Sequence, residues 1–506
     1  MRNTPWTRMS RVALGLLLGL AASFPAAARA NDPLTVPPWP SLASVPSVGV
    51  SYPMEPTLAP MPGSYGEAPV AEEAAPPAPA PDPVPAAETY DPAYDGSAYT
   101  EFSNPCSRCV PRGACGPCGG CGGAGQPFRL FDFPCLTCRR INVGGWVEQG
   151  ITFNADNPAD RFNGPVATND RDGEWLMNQA WLFAERSVDT GGYGVDVGGR
   201  IDMLYGSDFR FGVNHGLENR INSLDNRYGM VIPQAYLEVG VNNLSVKLGH
   251  FAGILDYEMV PGPPNPFYSH SYSYGYTVPQ LVTGALATYK LSPQWSVAAG
   301  FHRGWMMFED INDDLDFMGG VFWTSRNKRT SMDFAISTGA QDPAGENNRF
   351  VYSYVLKHAL TEKLRYVLVH NLGYENNGAG GVQDAEWYGI NQYFLYTINP
   401  RWSANVRVEW LRDDDGARVF GVPNVLPPIH TWPGGPGFAG NFYELTLGLT
   451  WRPHPNVMVR PECRWDWYQG LPGLVGAAPD RGIGLPFNDG NSDNQFTFAT
   501  DLIVTF

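Results

Sequence analysis

The sequence predicts an all-β protein: a transmembrane antiparallel up-and-down β-barrel of about 16 strands, preceded by a disordered N-terminal extension. Three observations lead to this prediction. Charged residues are scarce while aromatic residues are plentiful, apolar and polar residues alternate after residue 141, and short connections alternate with long ones. The alternation is typical of strands, and the sorting of connections by length distinguishes a membrane barrel from a soluble β-sandwich.

The composition excludes several classes of protein. Of the 506 residues, 13% are aromatic and only 17% are charged, against about 25% in soluble domains. The formal net charge of −16 argues against a nucleic-acid partner, because phosphate binding requires clustered basic residues. After the N-terminal segment no run of about 18 apolar residues occurs, so the sequence predicts no membrane-spanning helix.

Residues 1–30 have the three parts of a secretory signal peptide. Arginines precede an apolar run at Val12–Ala22, and Ala28–Ala30 forms an A-x-A cleavage site. The apolar run is too short to span a membrane. We therefore expect export, with the mature chain beginning near Asn31.

A Pro- and Ala-rich acidic linker follows at 31–104 and contains neither Lys nor Arg. Such a composition buries too little apolar surface to offset the entropy cost of ordering, so we expect disorder. The linker either reaches a partner such as the cell wall or serves as a spacer without a specific partner.

Seven of the eight cysteines fall in the segment 105–140. The pairs Cys115/Cys118 and Cys135/Cys138 have the spacing of a four-thiolate zinc site. An exported chain meets oxidising conditions, however, which favour disulfides over thiolate ligands. Disulfides, a metal site and intermolecular crosslinking remain open, and we assign no cofactor.

From 141 to 506 alternate side chains divide into an apolar and a polar face. In the segment 194–205, Asp196, Arg200 and Asp202 share one face and apolar residues occupy the other. Glu238 likewise lies on the polar face, and its neighbours Leu237 and Val239 lie on the apolar face. A barrel in a membrane would turn the apolar face to lipid and the polar face inward.

The connections fall into two classes. Seven short turns are predicted near residues 189–192, 242–243, 292–294, 326–329, 361–363, 399–401 and 453–456. Eight long loops are predicted at about 154–174, 206–229, 253–281, 306–316, 339–349, 374–386, 412–440 and 468–495. Short turns on one side and long loops on the other are typical of outer-membrane barrels.

The segment Gln495–Phe506 is amphipathic, and its last residue is aromatic. A terminal strand ending in Phe resembles the signal by which outer-membrane barrels are recognised for assembly. With it, residues 141–506 resemble the OmpL-like outer-membrane β-barrel porin family. The resemblance implies a passive channel in the bacterial outer membrane, recognition of Phe506 by the barrel-assembly machinery, and an N-terminal extension in the periplasm.

Strand parity predicts which charged side chains line the pore. They are Asp196, Arg200, Asp202, Glu238, Arg407, Glu409, Arg460, Glu462, Arg464 and Asp466. Charges of both signs on a wet inner wall would screen solutes by charge and size. Alternatively, the same charges pair across strands and hold the wall together.

Two acidic loops are candidates for a constriction. They contain Asp310, Asp313, Asp314 and Asp316, and Asp413, Asp414 and Asp415. The first resembles the start of a calcium-binding loop, but Leu315 replaces the required Gly and Val321 the closing Glu. We therefore predict no metal site there.

The motifs of hydrolases, metalloproteases and phosphate-binding loops are missing, so we predict no enzymatic activity. Two hypotheses remain besides a secreted carbohydrate binder. One is a porin-like channel for small polar solutes or ions, in contact with the lipid bilayer and with other copies of itself. The other is a structural or adhesive barrel anchored by its N-terminal arm. Loops 253–281 and 412–440 are long enough to narrow the interior.

Overall fold

A computed structural model describes residues 127–166, 168–222, 226–379, 383–419, 437–470 and 484–506. The predicted signal peptide, the linker and most of the Cys-rich segment lie outside these ranges. Within them, no helix is long and apolar enough to cross a membrane. The described part of the chain contains two short α-helices, α1 (Pro134–Cys138) and α2 (Tyr272–Tyr276), and two short 3-10 helices, Ser207–Phe211 and Glu218–Arg220.

Almost all of the remaining regular structure is β-strand. The strands are β1 Asn142–Asn154, β2 Trp175–Arg186, β3 Val195–Gly206, β4 Gly229–Val231, β5 Ala235–Val241, β6 Leu244–Ala252, β7 Leu281–Lys290, β8 Trp295–His302, β9 Asp316–Thr324, β10 Thr330–Ala340, β11 Asn348–Ala359, β12 Leu364–Ala379, β13 Gln383–Asn399, β14 Trp402–Asp413, β15 Gly440–His454, β16 Val457–Gly470 and β17 Asn494–Thr505.

The strands close into one antiparallel barrel. Apart from β4, which pairs only with β3, each strand pairs with its two neighbours around the barrel, and β1 pairs with both β2 and β17. Because β4 and β5 both pair with β3, they occupy one position in the wall, and the barrel has 16 strands. This confirms the predicted fold class. Closure leaves no unpaired sheet edge, as a barrel in lipid requires.

The two faces of the wall differ as the alternation predicted. On β3, Val197 and Ile201 are exposed on the outer face, whereas Arg200 and Asp202 are buried inside. Aromatic rings cluster on the outer face near both ends of the barrel. Trp295 and Trp323, and Trp402 and Trp451, pair near the short turns, and Tyr388 and Trp410, and Tyr443 and Trp467, pair near the long loops. Such girdles mark membrane–water interfaces.

The seven short turns lie where the sequence predicts them, and one long loop does not. Asn242 and Asn243 join β5 to β6, and Asn242 adopts a positive φ of 55°, which Asn tolerates better than most residues. The predicted loop at 374–386 is wrong, since β12 extends to Ala379 and β13 begins at Gln383. Polar residues there continue the ladder, with Glu375 opposite Ala385.

The barrel interior holds an apolar cluster as well as charges. Inward-facing side chains of β2, β5, β7 and β9, including Trp181, Tyr236, Leu286 and Phe322, belong to one buried cluster. Residues of the loop between β6 and β7, such as Leu255 and Val260, belong to the same cluster. The core of this barrel is therefore partly supplied by a loop that folds inward.

Candidate functional site: a loop across the barrel interior

The interior is crossed by the segment 253–280, which connects β6 to β7 and is called the internal loop below. On the wall it meets two rows of charged residues. Arg407 and Glu409 on β14 and Arg460, Glu462, Arg464 and Asp466 on β16 are each at most 2% exposed. On the same strands Val408 and Trp465 are 38% and 50% exposed on the outer face.

Two wall carboxylates accept hydrogen bonds from the backbone of the internal loop. Glu462 accepts from the N–H groups of Tyr268 and Ser269, at 2.9 and 3.1 Å. Glu409 accepts from those of Tyr272 and Ser273, at 2.7 and 2.6 Å. Each carboxylate thereby fixes two successive peptide groups of the loop.

Three wall arginines bind carbonyl oxygens of the same loop. Arg460 donates to Gly262 and Asn265, at 2.9 and 2.7 Å. Arg464 donates to His270 at 2.6 Å, and Arg407 donates to Ser269 at 2.7 Å. The wall therefore recognises the loop mainly through its backbone.

Glu258 connects the loop to the wall through its own side chain. Its carboxylate lies 2.8 Å from Nη1 of Arg407 and 2.7 Å from Nδ1 of His270, and it accepts a hydrogen bond of 2.6 Å from the hydroxyl of Tyr393. Burial alone would raise the pKa of Glu258, but Arg407 and His270 lower it to about 2. Glu258 is therefore ionised at neutral pH.

The loop reaches opposite sides of the barrel. On one side, Gln179 of β2 donates to the carbonyl of Val260 at 2.8 Å and accepts from the N–H of Gly262 at 3.0 Å. On the other side, Trp387 of β13 donates to the carbonyl of Thr277 at 3.2 Å. The strands in contact include β2 and β11 to β16. The loop is thus a bridge across the interior.

The close approach of the loop requires glycine at position 262. A Cβ atom there would lie 1.8 Å from Oε2 of Glu148 on β1. Glu148 is also bound to Arg460 at 2.9 Å, so its carboxylate cannot move away without loss of an ion pair. The loop backbone can lie against this wall only where no side chain intervenes.

The structure places the other predicted pore-lining residues away from the internal loop. Asp196 lies near the short-turn end and accepts from Arg140 and Arg186, at 2.7 and 2.8 Å. Arg200 pairs with Asp202 at 2.7 Å, and Glu238 accepts from Ser245. Both sequence interpretations, pore lining and cross-strand pairing, agree with inward charges, and pore lining stays a prediction.

Most of the acidic residues that were predicted to form a constriction accept hydrogen bonds or form ion pairs with nearby groups of the protein. Asp310 accepts from the N–H groups of Asn312 and Asp313, at 3.1 and 3.0 Å. Asp413 accepts from three backbone N–H groups at Ala417, Arg418 and Val419. Asp414 pairs with Arg412, Asp415 accepts from Gln383, and Asp316 accepts from Gln341. Asp313 and Asp314 lie at the exposed part of their loop. A constriction by these residues stays a prediction.

The candidate thiols lie before β1. Cys135 and Cys138 are exposed on α1 and are not joined to each other, whereas Cys115 and Cys118 lie outside the described residues. Among the described residues, no group of His, Cys, Asp or Glu is arranged to hold a metal ion. Phe506 closes the barrel, because its N–H and carbonyl both bond to Gly145 of β1, at 2.9 and 3.1 Å.

One buried group resembles a hydrolase triad. Nε2 of His302 lies 3.0 Å from Oγ of Ser337, and its Nδ1 lies 3.9 Å from Asp316. The distance to Asp316 exceeds that of a hydrogen bond. Ser337 is fully buried, so its hydroxyl cannot meet a substrate. We assign the group a packing role.

Sequence reasoning missed the binding of the loop backbone by the wall. It identified the charged wall residues and the length of the loop, but it left open which loop enters the barrel. A signal was present, because 253–280 is rich in Pro, Tyr and Ser and contains only two charged residues, Asp256 and Glu258. A loop in solvent has no need of so many aromatic residues.

Comparisons with known proteins agree with this architecture. A family described as "Putative beta-barrel porin-2, OmpL-like" matches residues 140–506. No curated protein matches the chain.

Three solved structures illustrate the structural likeness. The outer membrane channel DcaP of Acinetobacter baumannii is 12% identical, with a TM-score of 0.46 over 72% of this chain and 97% of that chain. An anion-selective porin from Comamonas acidovorans is 9% identical, with a TM-score of 0.47 over 72% and 99%. OprB of Pseudomonas putida is 11% identical, with a TM-score of 0.45 over 73% and 95%.

Proposed function

Because the chain belongs to the OmpL-like putative β-barrel porin-2 family, we propose that it is an outer-membrane channel through which small polar solutes or ions diffuse passively. The observation that carries the proposal is the closed 16-strand barrel of this family, with an apolar outer face and inward charges. Diffusion through a barrel requires neither an energy source nor a catalytic group.

The internal loop would set the width of this channel. Its hydrogen bonds reach from β2 to β13, so any solute must pass beside it. The charges that hold it belong to the predicted pore-lining set, and Arg200, Asp202 and Glu238 point inward elsewhere on the wall. Solutes would then be selected by size and charge.

The two classes of connection support an orientation of the barrel in the membrane. Short turns face the periplasm and long loops face outward in barrels of this type. The segment before β1 lies at the short-turn end, where the backbone of Phe128 bonds to Asn456. We propose that the N-terminal arm therefore enters the periplasm, where it can contact the cell wall, and that Phe506 is the residue recognised by the assembly machinery.

We propose further that the barrel associates with copies of itself through the outer face of β11–β13. Polar side chains occur there on the lipid-facing side of the wall. The ring of His370 stacks on Tyr352 at 5.6 Å, and the hydroxyl of Tyr366 donates to Gln392 at 2.8 Å. Polar groups are costly in hydrocarbon, whereas a protein neighbour can satisfy them.

The filled interior favours a second candidate function, a structural barrel that anchors the envelope through its N-terminal arm. The internal loop and the apolar cluster around Phe322 and Tyr236 occupy space that an open pore would leave to water. In this case the barrel would hold a membrane position without conducting.

Conductance in planar bilayers separates the two candidates. We expect discrete current steps in potassium chloride, and a reversal potential under a salt gradient that reports ion preference. A correctly folded barrel, recognised by its heat-modifiable migration in gels, that gives no current would contradict the channel and support the structural candidate.

A further inference from the structure

The chain carries an exposed apolar segment just before the barrel, residues 127–140, which we call the rim segment. Phe128, Leu130 and Phe133 in it are 61%, 50% and 52% exposed. Three large apolar side chains within six residues are unusual on a surface that faces only water. They lie at the short-turn end of the barrel, where the backbone of Phe128 is held by Asn456.

Contacts at both ends hold the rim segment at the short-turn end of the barrel. The backbone N–H of Phe128 donates to Oδ1 of Asn456 at 2.7 Å, and Nδ2 of Asn456 donates back to the Phe128 carbonyl at 2.9 Å. At the other end, Arg140 pairs with Asp196 at 2.7 Å. The segment thus crosses the ends of β16, β17 and β1.

Between these ends the rim segment meets the lipid-facing surface. Phe131 packs on Phe506, with ring centroids 6.3 Å apart. Phe506 itself covers the outer side of Gly145 and continues the outward row that contains Leu502 and Val504. The apolar surface of the segment is therefore continuous with the surface that faces lipid.

The charges of the rim segment match an anionic membrane surface. Arg129 and Arg139 are exposed beside the apolar side chains, and Asp132 is the one acidic residue among 127–140. Apolar side chains flanked by arginines are typical of segments that lie in the interface between headgroups and acyl chains. Basic residues near an anionic surface add to this attraction.

We infer that the rim segment binds the lipid leaflet at the short-turn end of the barrel, with its apolar side chains among the acyl chains and its arginines at anionic phospholipid headgroups. The root of the N-terminal arm is then held in the membrane interface. The inference rests on the membrane position of the proposed channel but does not depend on conduction.

Fluorescence at a single cysteine tests this inference. In full-length protein whose cysteines are replaced by Ser, Leu130→Cys is labelled with a polarity-sensitive fluorophore and reconstituted into phosphatidylcholine vesicles with or without phosphatidylglycerol. Glu362→Cys, in the exposed turn between β11 and β12, is the matched control. We expect blue-shifted emission at position 130 and several-fold stronger quenching by brominated lipid than at position 362.

The remaining outcomes are also decisive. Equal quenching at the two positions, or quenching at 130 that falls as the protein-to-lipid ratio rises because a second copy covers it, overturns the inference. Phosphatidylglycerol should strengthen quenching in the parent and not in R129Q/R139Q, and an equal gain in both overturns the role of the arginines. Heat-modifiable migration verifies folding, and current recorded from the same preparation separates this test from that of the channel.

Discussion

The guanidinium group of Arg407 lies between a carboxylate of the internal loop and a carboxylate of the wall. It lies 2.8 Å from Glu258 on the loop and 2.8 Å from Glu444 on β15, and its side chain is fully buried. Removal of one partner from a buried ion pair leaves the other charge uncompensated. Loss of this group should therefore weaken the attachment of the loop.

We expect R407M to lower the free energy of unfolding by about 3–5 kcal/mol, because two buried carboxylates lose their counter-charge. Denaturant unfolding in detergent measures the change. The matched control is R412M on the same strand, where Arg412 is partly exposed and pairs with Asp414; its cost should stay below about 1 kcal/mol. Equal effects of the two substitutions would show that Arg407 has no special role.

Attachment of the internal loop should weaken in acid. Burial alone would raise the pKa of Glu258, but Arg407 and His270 lower it to about 2. A lowered pKa contributes stability above the unfolded value of about 4.3 and loses it as the pH falls towards 2, for a total of about 3 kcal/mol. Hydrogen-exchange protection of residues 258–273, corrected for intrinsic rates, should fall in this window, and the fall should vanish in E258Q.

Asp256 should affect the stability of the internal loop in the opposite direction to Glu258, and at higher pH. Burial raises its pKa to about 6, so the ionised carboxylate disfavours the folded loop and protonation favours it. Protection should therefore rise as the pH falls from about 7 to about 4. D256N should show higher protection than the parent at neutral pH and no rise. A rise that persists in D256N would assign the effect to another group.

At the scale of elements, the internal loop and its two wall strands form one unit. β14 and β16 present alternating basic and acidic residues at every second position, and most of these side chains bind carbonyl or N–H groups of the loop. Such backbone recognition fixes the path of the loop without depending on most of its side chains. The internal loop is therefore an integral part of the barrel interior.

Deletion of residues 257–277, with a short Gly-Ser join, should raise single-channel conductance because the bridge across the interior is removed. The barrel itself should still fold, since every strand pair is retained. Deletion of the tip 343–346, in the loop between β10 and β11, is the control and should leave conductance unchanged. If both deletions give the parent conductance, the internal loop does not limit the passage.

At the scale of the whole molecule, the outer face of β11–β13 is expected to meet another copy. H370L/Q392L exchanges the polar groups there for apolar ones, which suit lipid but cannot bond a protein neighbour. We expect the oligomer to dissociate at a lower temperature in mild detergent, as followed by native mass measurement. The control is V239L/V246L, an outward cross-strand pair on β5 and β6. An unchanged oligomer in H370L/Q392L would remove this face from the interface.

The sequence by itself determined the barrel, a strand number of about 16, the seven short turns and the inward side of the charged residues assigned to the pore. These features depend on period-two alternation and on turn chemistry, which are local properties of the chain. The predicted loop at 374–386 was wrong because the prediction depended on the same local pattern. Where a barrel wall extends beyond the lipid, polar residues are as compatible with a strand as with a loop.

Only the tertiary structure decided what the inward charges contact. Parity places Arg460 and Glu462 inside, yet it cannot tell whether water or a peptide group lies opposite them. The partners are Gly262, Asn265, Tyr268 and Ser269, about two hundred residues away in sequence. Such contacts depend on barrel closure, which brings distant segments together, and no local pattern encodes them. The same reason explains why the position of Phe131 on Phe506 could not be foreseen.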